Sequence, residues 1–254
     1  MKMTMRFILF VMTLLLLPAA VWAESRVLIV VTSHGFIGEA SEDNDRKTGY
    51  FLSEVTHPYY VFKDAGFSVD IASPKGGEPP MDPRSHKLSD DDNRRFIETV
   101  RDWQKMQNSL LLADINAADY DAIVFAGGHG TMWDFPDNPD IQRLTREIYQ
   151  DNGVVGAVCH GPAALVNVKM ADGEYLVAGR EVSTFTNFEE RIMRLYSDMP
   201  FLLETVLQER GATVDKAFIP FMEQVSVDGN LVTGQNPNSA RTMAVEVVKL
   251  MQSQ

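Results

Sequence analysis

Three continuous apolar runs and one mixed run constrain this chain more than any other feature. They are Arg26-Val27-Leu28-Ile29-Val30-Val31-Thr32, Ala122-Ile123-Val124-Phe125-Ala126, Val154-Val155-Gly156-Ala157-Val158, and the less regular Phe67-Ser68-Val69-Asp70-Ile71-Ala72. A short run that stays apolar without alternating reads as a strand covered on both faces. Helical patterns lie between these runs. One is expected from Pro58 to Ala65, closed by Gly66, and another begins at Asn138-Pro139 with Ile141, Leu144 and Ile148 on one face. Further on, a helix is expected near 201–210, strands near 214–219 and 231–233, and a terminal helix from Asn238. Strands alternating with helices predict an α/β fold: a doubly wound, mostly parallel sheet with helices on both faces.

Ligands of such sheets bind outside the carboxyl ends of the strands. Three loops are expected at that edge: Thr32-Ser33-His34-Gly35, Gly127-Gly128-His129-Gly130 and Cys159-His160-Gly161-Pro162. Cys159 is the one cysteine of the chain. It follows a predicted strand and precedes a predicted helix opening on Pro162, a turn that pushes a nucleophile out of the sheet. Backbone N–H groups and the positive end of that helix would favour the thiolate. The plainer reading is a buried structural cysteine, since the thiol packs like a small hydrophobe.

The other candidates are weaker one by one. Gly127-Gly128-His129-Gly130 lacks the Lys-Ser/Thr of a phosphate loop. It serves either as a tight turn or as one oxyanion donor opposite the His160 N–H. His160 is a candidate base, oriented by Glu189 or Glu190. Glu54 reads by itself as a helix-start carboxylate facing solvent. In apolar surroundings it would instead hold its proton at neutral pH and could move it to or from the thiol. No His-Glu-x-x-His pair supports a zinc hydrolase, and Asp90-Asp91-Asp92 reads as a solvated helix start.

The formal net charge of −12 argues against nucleic acid and anionic membranes as partners. Residues 1–23 carry Lys2 and Arg6, a short apolar run, and Val21 and Ala23 where a signal peptidase reads. They are expected to be a cleaved export signal, with a membrane anchor as the alternative, leaving residues 24–254 as one domain, exported to the periplasm or secreted. Residues 73–116 read as a long insertion between strands, loop-like through Pro74–Pro83.

Together these segments resemble the ThiJ/PfpI superfamily, and within it the branch of heat-shock chaperones that are glutathione-independent glyoxalases (glyoxalase III). The resemblance covers nearly all of the chain from Arg26. It rests on Thr48–Pro58, Ser73-Pro74 through Met81-Asp82-Pro83, Tyr120–Asp134, Ala157–Ala163, Phe185–Glu190 and Val232–Ala240. It implies a flavodoxin-like sandwich with Cys159 as nucleophile and Glu54 as a protonated carboxyl bonded to the sulfur. It also implies His160 as the triad histidine, Glu190 rather than Glu189 as the acid orienting it, and Gly128 with His129 and Gly130 as the oxyanion and substrate turn. The implied reaction is methylglyoxal to lactate, with no metal or cofactor. The implied partner is a small dicarbonyl, and relatives are often dimers. Two rivals use the same chain: a cysteine hydrolase (peptidase, amidase or deglycase of glycated proteins), and a holdase for unfolded proteins that would not need Cys159.

Overall fold

The structure, a computed structural model, describes residues 25–38 and 45–254. The expected export signal, residues 1–23, lies outside the described residues. The strands are β1 (Arg26–Val30), β2 (Ser68–Ser73), β3 (Leu110–Leu111), β4 (Ala122–Phe125), β5 (Val154–Val158), β6 (Glu181–Val182), β7 (Thr213–Val214), β8 (Val225–Asp228) and β9 (Leu231–Gly234). Among the described residues, seven of them form one sheet in the order β3-β2-β1-β4-β5-β9-β8. Every pairing in it is parallel except β8 with β9. β6 and β7 form a separate parallel pair.

The helices are α1 (Leu52–Asp64), α2 (Asp91–Glu98), α3 (Val100–Gln107), α4 (Thr131–Asp134), α5 (Pro139–Gln150), α6 (Asn187–Met193), α7 (Leu203–Glu209) and α8 (Ala240–Ser253). Side chains alternate across the central strands β1, β4, β5 and β9, and both faces of these are buried. Val27, Ile29 and Val31 enter one core with α1 and α8, whereas Leu28 and Val30 enter the other with α5 and α7. The sandwich is therefore the doubly wound α/β fold that the apolar runs predict. Among the described residues no helix is long and apolar enough to cross a membrane.

Several boundaries differ from expectation. α1 starts at Leu52, six residues before Pro58, so Pro58 sits inside the helix. Proline removes the N–H that would bond the Glu54 carbonyl and has an interior cost of ~3 kcal/mol. Leu52, Val55, Tyr59 and Phe62 offset that cost by burying one continuous face. Glu54 is consequently inside the first turn rather than ahead of the helix. The strand expected near 214–219 shrinks to Thr213–Val214, and Phe218 and Ile219 are exposed. Their apolarity has no sheet partner to serve. The helix after Cys159 is a 3-10 turn, Gly161–Leu165, and the terminal α-helix begins at Ala240 after a 3-10 turn at Pro237–Ser239. Asn138 caps α5 with its side-chain oxygen, and Asp90 caps α2 in the same way.

Candidate active site

β5 ends at Val158, and Cys159 turns the chain with φ +60. A non-glycine residue there is strained and must be held. Its N–H donates to the Gly234 carbonyl (2.9 Å), and its own carbonyl accepts from the Phe185 N–H (2.9 Å) and the Thr184 hydroxyl (3.1 Å). The elbow is thus clamped by β9 on one side and the approach to α6 on the other. Cys159 is 3 % exposed and lies at a cavity of about 780 Å³, which Gly128, His129 and His160 also line.

Glu54 reaches the elbow from α1 and is fully buried, so the solvent-facing reading of this residue is overturned. The Gly127 N–H donates to its Oε2 at 2.8 Å. A side chain at Gly127 would not fit, since a Cβ would fall 2.6 Å from the His160 nitrogen and 2.7 Å from Glu54 Oε2. Glu54 Oε1 has no hydrogen-bond partner, and the Cys159 thiol is the titratable side chain that this carboxyl senses most directly. Burial pushes the Glu54 carboxyl up to about 8. An ionised carboxylate with one oxygen orphaned in the core is costly. Protonation at Oε1 turns that orphaned acceptor into a donor beside the Cys159 thiol.

Burial also pushes the Cys159 thiol up, and the Glu54 charge pushes it further; the His160 N–H acts the other way and is the weaker influence. The expectation that a helix end lowers this thiol is therefore not met. The helix is only a 3-10 turn, and desolvation of the thiolate outweighs its dipole. Cys159 and Glu54 together form a buried pair that retains protons at neutral pH.

His160 lies on the other side of the thiol. Its Nδ1 is 3.3 Å from Sγ, and its Nε2 donates to Glu190 Oε1 at 2.5 Å. A carboxylate at Nε2 places the proton there, so Nδ1 presents its lone pair to the thiol. Glu190 sits in the first turn of α6, behind the Thr186 cap. Burial alone would raise the Glu190 carboxyl, but the two imidazoles beside it outweigh burial and hold it well below the usual carboxylate range. The choice between Glu189 and Glu190 is resolved by geometry. Glu189 turns away to close a capping box with Thr186 and accepts from the Phe221 N–H, Gln235 and Asn236.

The second imidazole is His129. Its ring centroid is 4.2 Å from that of His160, and its Nε2 is 3.4 Å from Glu190 Oε2. Arg84 Nη2 donates to His129 Nδ1 at 3.1 Å. Arginine has no acceptor, so Nδ1 must be bare and Nε2 must carry the proton toward Glu190. Burial, followed by repulsion from His160, lowers His129 to about 4, which keeps it neutral. Arg84 is itself held by the fully buried Asp82, with Nη2 to Oδ2 at 2.5 Å. His129, His160 and Glu190 place their ligand atoms within 4.8 Å of one another, a set that could hold a metal. As built, Arg84 occupies the His129 lone pair, so a cation there requires Arg84 to let go.

Sequence reasoning missed Arg84, Asp82, Phe185 and Phe221. Arg84 lies in the 73–116 insertion, one residue past the stretch read as loop, and nothing local signals that it reaches His129, 45 positions away. Asp82-Pro83 is the one usable cue, as the cap and first residue of a 3-10 turn. Gly128 borders the cavity as expected. Gly130 does not. It caps α4 with its backbone against the His34 carbonyl, where a Cβ would fall at 2.3 Å. His57 lines the outer cavity and pairs with Asp90 at 2.8 Å.

A match to the DJ-1/PfpI family spans residues 47–250. The chain belongs to the DJ-1/PfpI family. Among curated relatives of this family, Glyoxalase 3 of Candida albicans is 31% identical over 231 residues, covering 88% of this chain and 97% of the relative. The glutathione-independent glyoxalase HSP31 of Saccharomyces cerevisiae is 31% identical over 239 residues, covering 91% and 100%. Among solved structures, the Francisella tularensis Rapid Encystment Protein 24 KDa aligns with a TM-score of 0.84 at 44% identity, covering 89% of this chain and 99% of that one. Glyoxalase III of Candida albicans aligns at 0.82 with 29% identity, covering 91% and 98%. The DJ-1/PfpI assignment and the doubly wound sheet agree with the resemblance drawn from the sequence.

Proposed function

We propose that this protein is a glutathione-independent glyoxalase that adds water to methylglyoxal to give lactate, with Cys159 as nucleophile. The observation that carries the reading is a single thiol between two buried proton carriers, His160 and Glu54, at a cavity wall. The relatives named as glyoxalases support the same substrate class for this chain.

His160 Nδ1 takes the thiol proton, and Glu190 stabilises the imidazolium that forms. The sulfur attacks the aldehyde carbon, and the carbonyl π electrons pass to oxygen. N–H groups of Gly128 and His160 are the candidate donors to that oxyanion. Protonated Glu54 neutralises it and so becomes a carboxylate beside the former aldehyde C–H. It removes that proton while the His160 imidazolium protonates the C2 oxygen, which gives a neutral enediol; Glu54 then delivers its proton to C2 and takes up the C1 hydroxyl proton, leaving a thioester with Glu54 protonated and His160 neutral again. Water cleaves the thioester, releasing lactate and the thiol. No electron acceptor is needed, because one carbon is oxidised as its neighbour is reduced.

Purified protein given methylglyoxal without glutathione should form lactate. In deuterium oxide, magnetic resonance should find deuterium at C2, because the carried proton exchanges with solvent. Lactate carrying only protium at C2 would replace the enediol with a hydride shift or a sequestered proton. No lactate at all would remove the glyoxalase reading and favour hydrolysis by the same thiol. We further propose that the enzyme acts after export; material from its native compartment should begin at Glu24, and an intact Met1 there would refute this.

A further inference from the structure

The cavity beside Cys159 encloses about 780 Å³. Cavities of roughly 300–1,000 Å³ take ligands of drug size. Methylglyoxal, a three-carbon dicarbonyl, fills only a corner of this space. One wall is apolar from the reacting centre outward. The Phe185 ring lies 4.5 Å from the His160 ring, and the Phe221 ring lies 6.0 Å beyond Phe185. Met193 and Phe51 also face the cavity.

Phe221 is placed there at a cost. Its φ is +62, a region that a bulky aromatic residue rarely enters. Such strain is on the order of 1–3 kcal/mol and persists only where the surroundings over-determine it. Here they do. The Phe221 N–H donates to Glu189 Oε1 (2.8 Å), and its carbonyl accepts from Asn238 Nδ2 (2.7 Å). Glu189 is fully buried and is fixed in turn by Thr186, Gln235 and Asn236. Phe221 remains half-buried, packed at the edge of one core and lining the cavity. Glu189 also precedes Glu190 in the same helical turn. The first turn of α6 therefore fixes both the acid behind His160 and, through Glu189, the backbone of Phe221 at the cavity.

We propose that Phe221, held by Glu189, is the specificity-determining wall of the site, and that its substrates include 2-oxoaldehydes bearing an apolar or aromatic substituent larger than methyl. This rests on the glyoxalase reading above. The chemistry is unchanged: the substituent stays on C2, and water adds to give the corresponding 2-hydroxy acid.

The test is the ratio of kcat/KM for phenylglyoxal to that for methylglyoxal, measured in the wild type, Phe221→Leu and Phe221→Gly. The ratio should fall in that order, by about tenfold overall. Glycine accepts φ +62 without strain, so Phe221→Gly removes the ring while relaxing the backbone. Its melting temperature should match or exceed that of Phe221→Ala. Phe221→Leu keeps most of the bulk and tests the wall if the glycine variant does not fold. A ratio that stays within twofold in all variants, with methylglyoxal still turned over, would overturn the inference alone. A wild type inert toward methylglyoxal would instead remove the reading beneath it.

Discussion

Replacing Glu54 with Gln should stabilise the protein at alkaline pH while slowing its reaction. Burial holds the Glu54 carboxyl at about 8 in the folded state, against 4.5 when solvated. The folded state therefore binds the extra proton between these values, and stability falls as pH rises through that window. At about 1.4 kcal/mol per pH unit, the loss accumulates to about 4 kcal/mol between about pH 5 and 8.5. The amide of Glu54→Gln cannot ionise, so the variant escapes this loss. Its carbonyl oxygen can still accept from the Gly127 N–H, and its NH₂ can face the sulfur as a protonated carboxyl would. Urea denaturation of both proteins at several pH values gives the difference directly. The variant should gain about 4 kcal/mol relative to the wild type from about pH 5 to 8.5. Turnover should drop at least tenfold, because the amide cannot carry the proton. Alkylation of Cys159 above about pH 8 should not slow, because the neighbouring charge that raises the thiol is gone. Stability curves that stay parallel within about 0.5 kcal/mol across that range would refute the claim that Glu54 titrates in the core.

Cys159→Ala should abolish lactate formation with the fold retained by circular dichroism; more than about a tenth of wild-type kcat/KM, a loss under about 1.4 kcal/mol, would eliminate covalent catalysis. Glu190→Gln removes the carboxylate that keeps the proton on His160 Nε2, so kcat should fall on the order of 10³-fold with little change in melting temperature; a loss under tenfold in steady-state assays would show that His160 needs no such partner. Gly128→Ala meets both φ +102 and a Cβ 2.2 Å from the Gly49 carbonyl oxygen, so urea denaturation should show a loss of more than about 3 kcal/mol. A loss below about 1 kcal/mol would mean that this turn relaxes freely.

The parts of this protein legible from its residues were those set by neighbours in sequence. β1, β4 and β5 follow from short apolar runs, α5 from its cap, proline and apolar stripe, and the elbow at Cys159 from a strand ending at a turn. These signals are local because strand and helix periodicity are local. Boundaries failed where packing overrode them, as at Pro58, where a buried face carries α1 through a proline. The candidate site divides in the same way. Cys159 and His160 are adjacent and could be read together. The state of Glu54 could not, because its pKa depends on desolvation by elements remote in sequence; the Gly127 it bonds is 73 positions away. The separate tasks of Glu189 and Glu190 depend on which way one helical turn faces. The Arg84–His129–Glu190 chain exists only once three segments distant in sequence meet. Local residue patterns sufficed for the sheet, the nucleophile and the edge at which chemistry is possible. Protonation and hydrogen-bond direction came only with folding, because burial and distance belong to the folded chain and not to any segment of it.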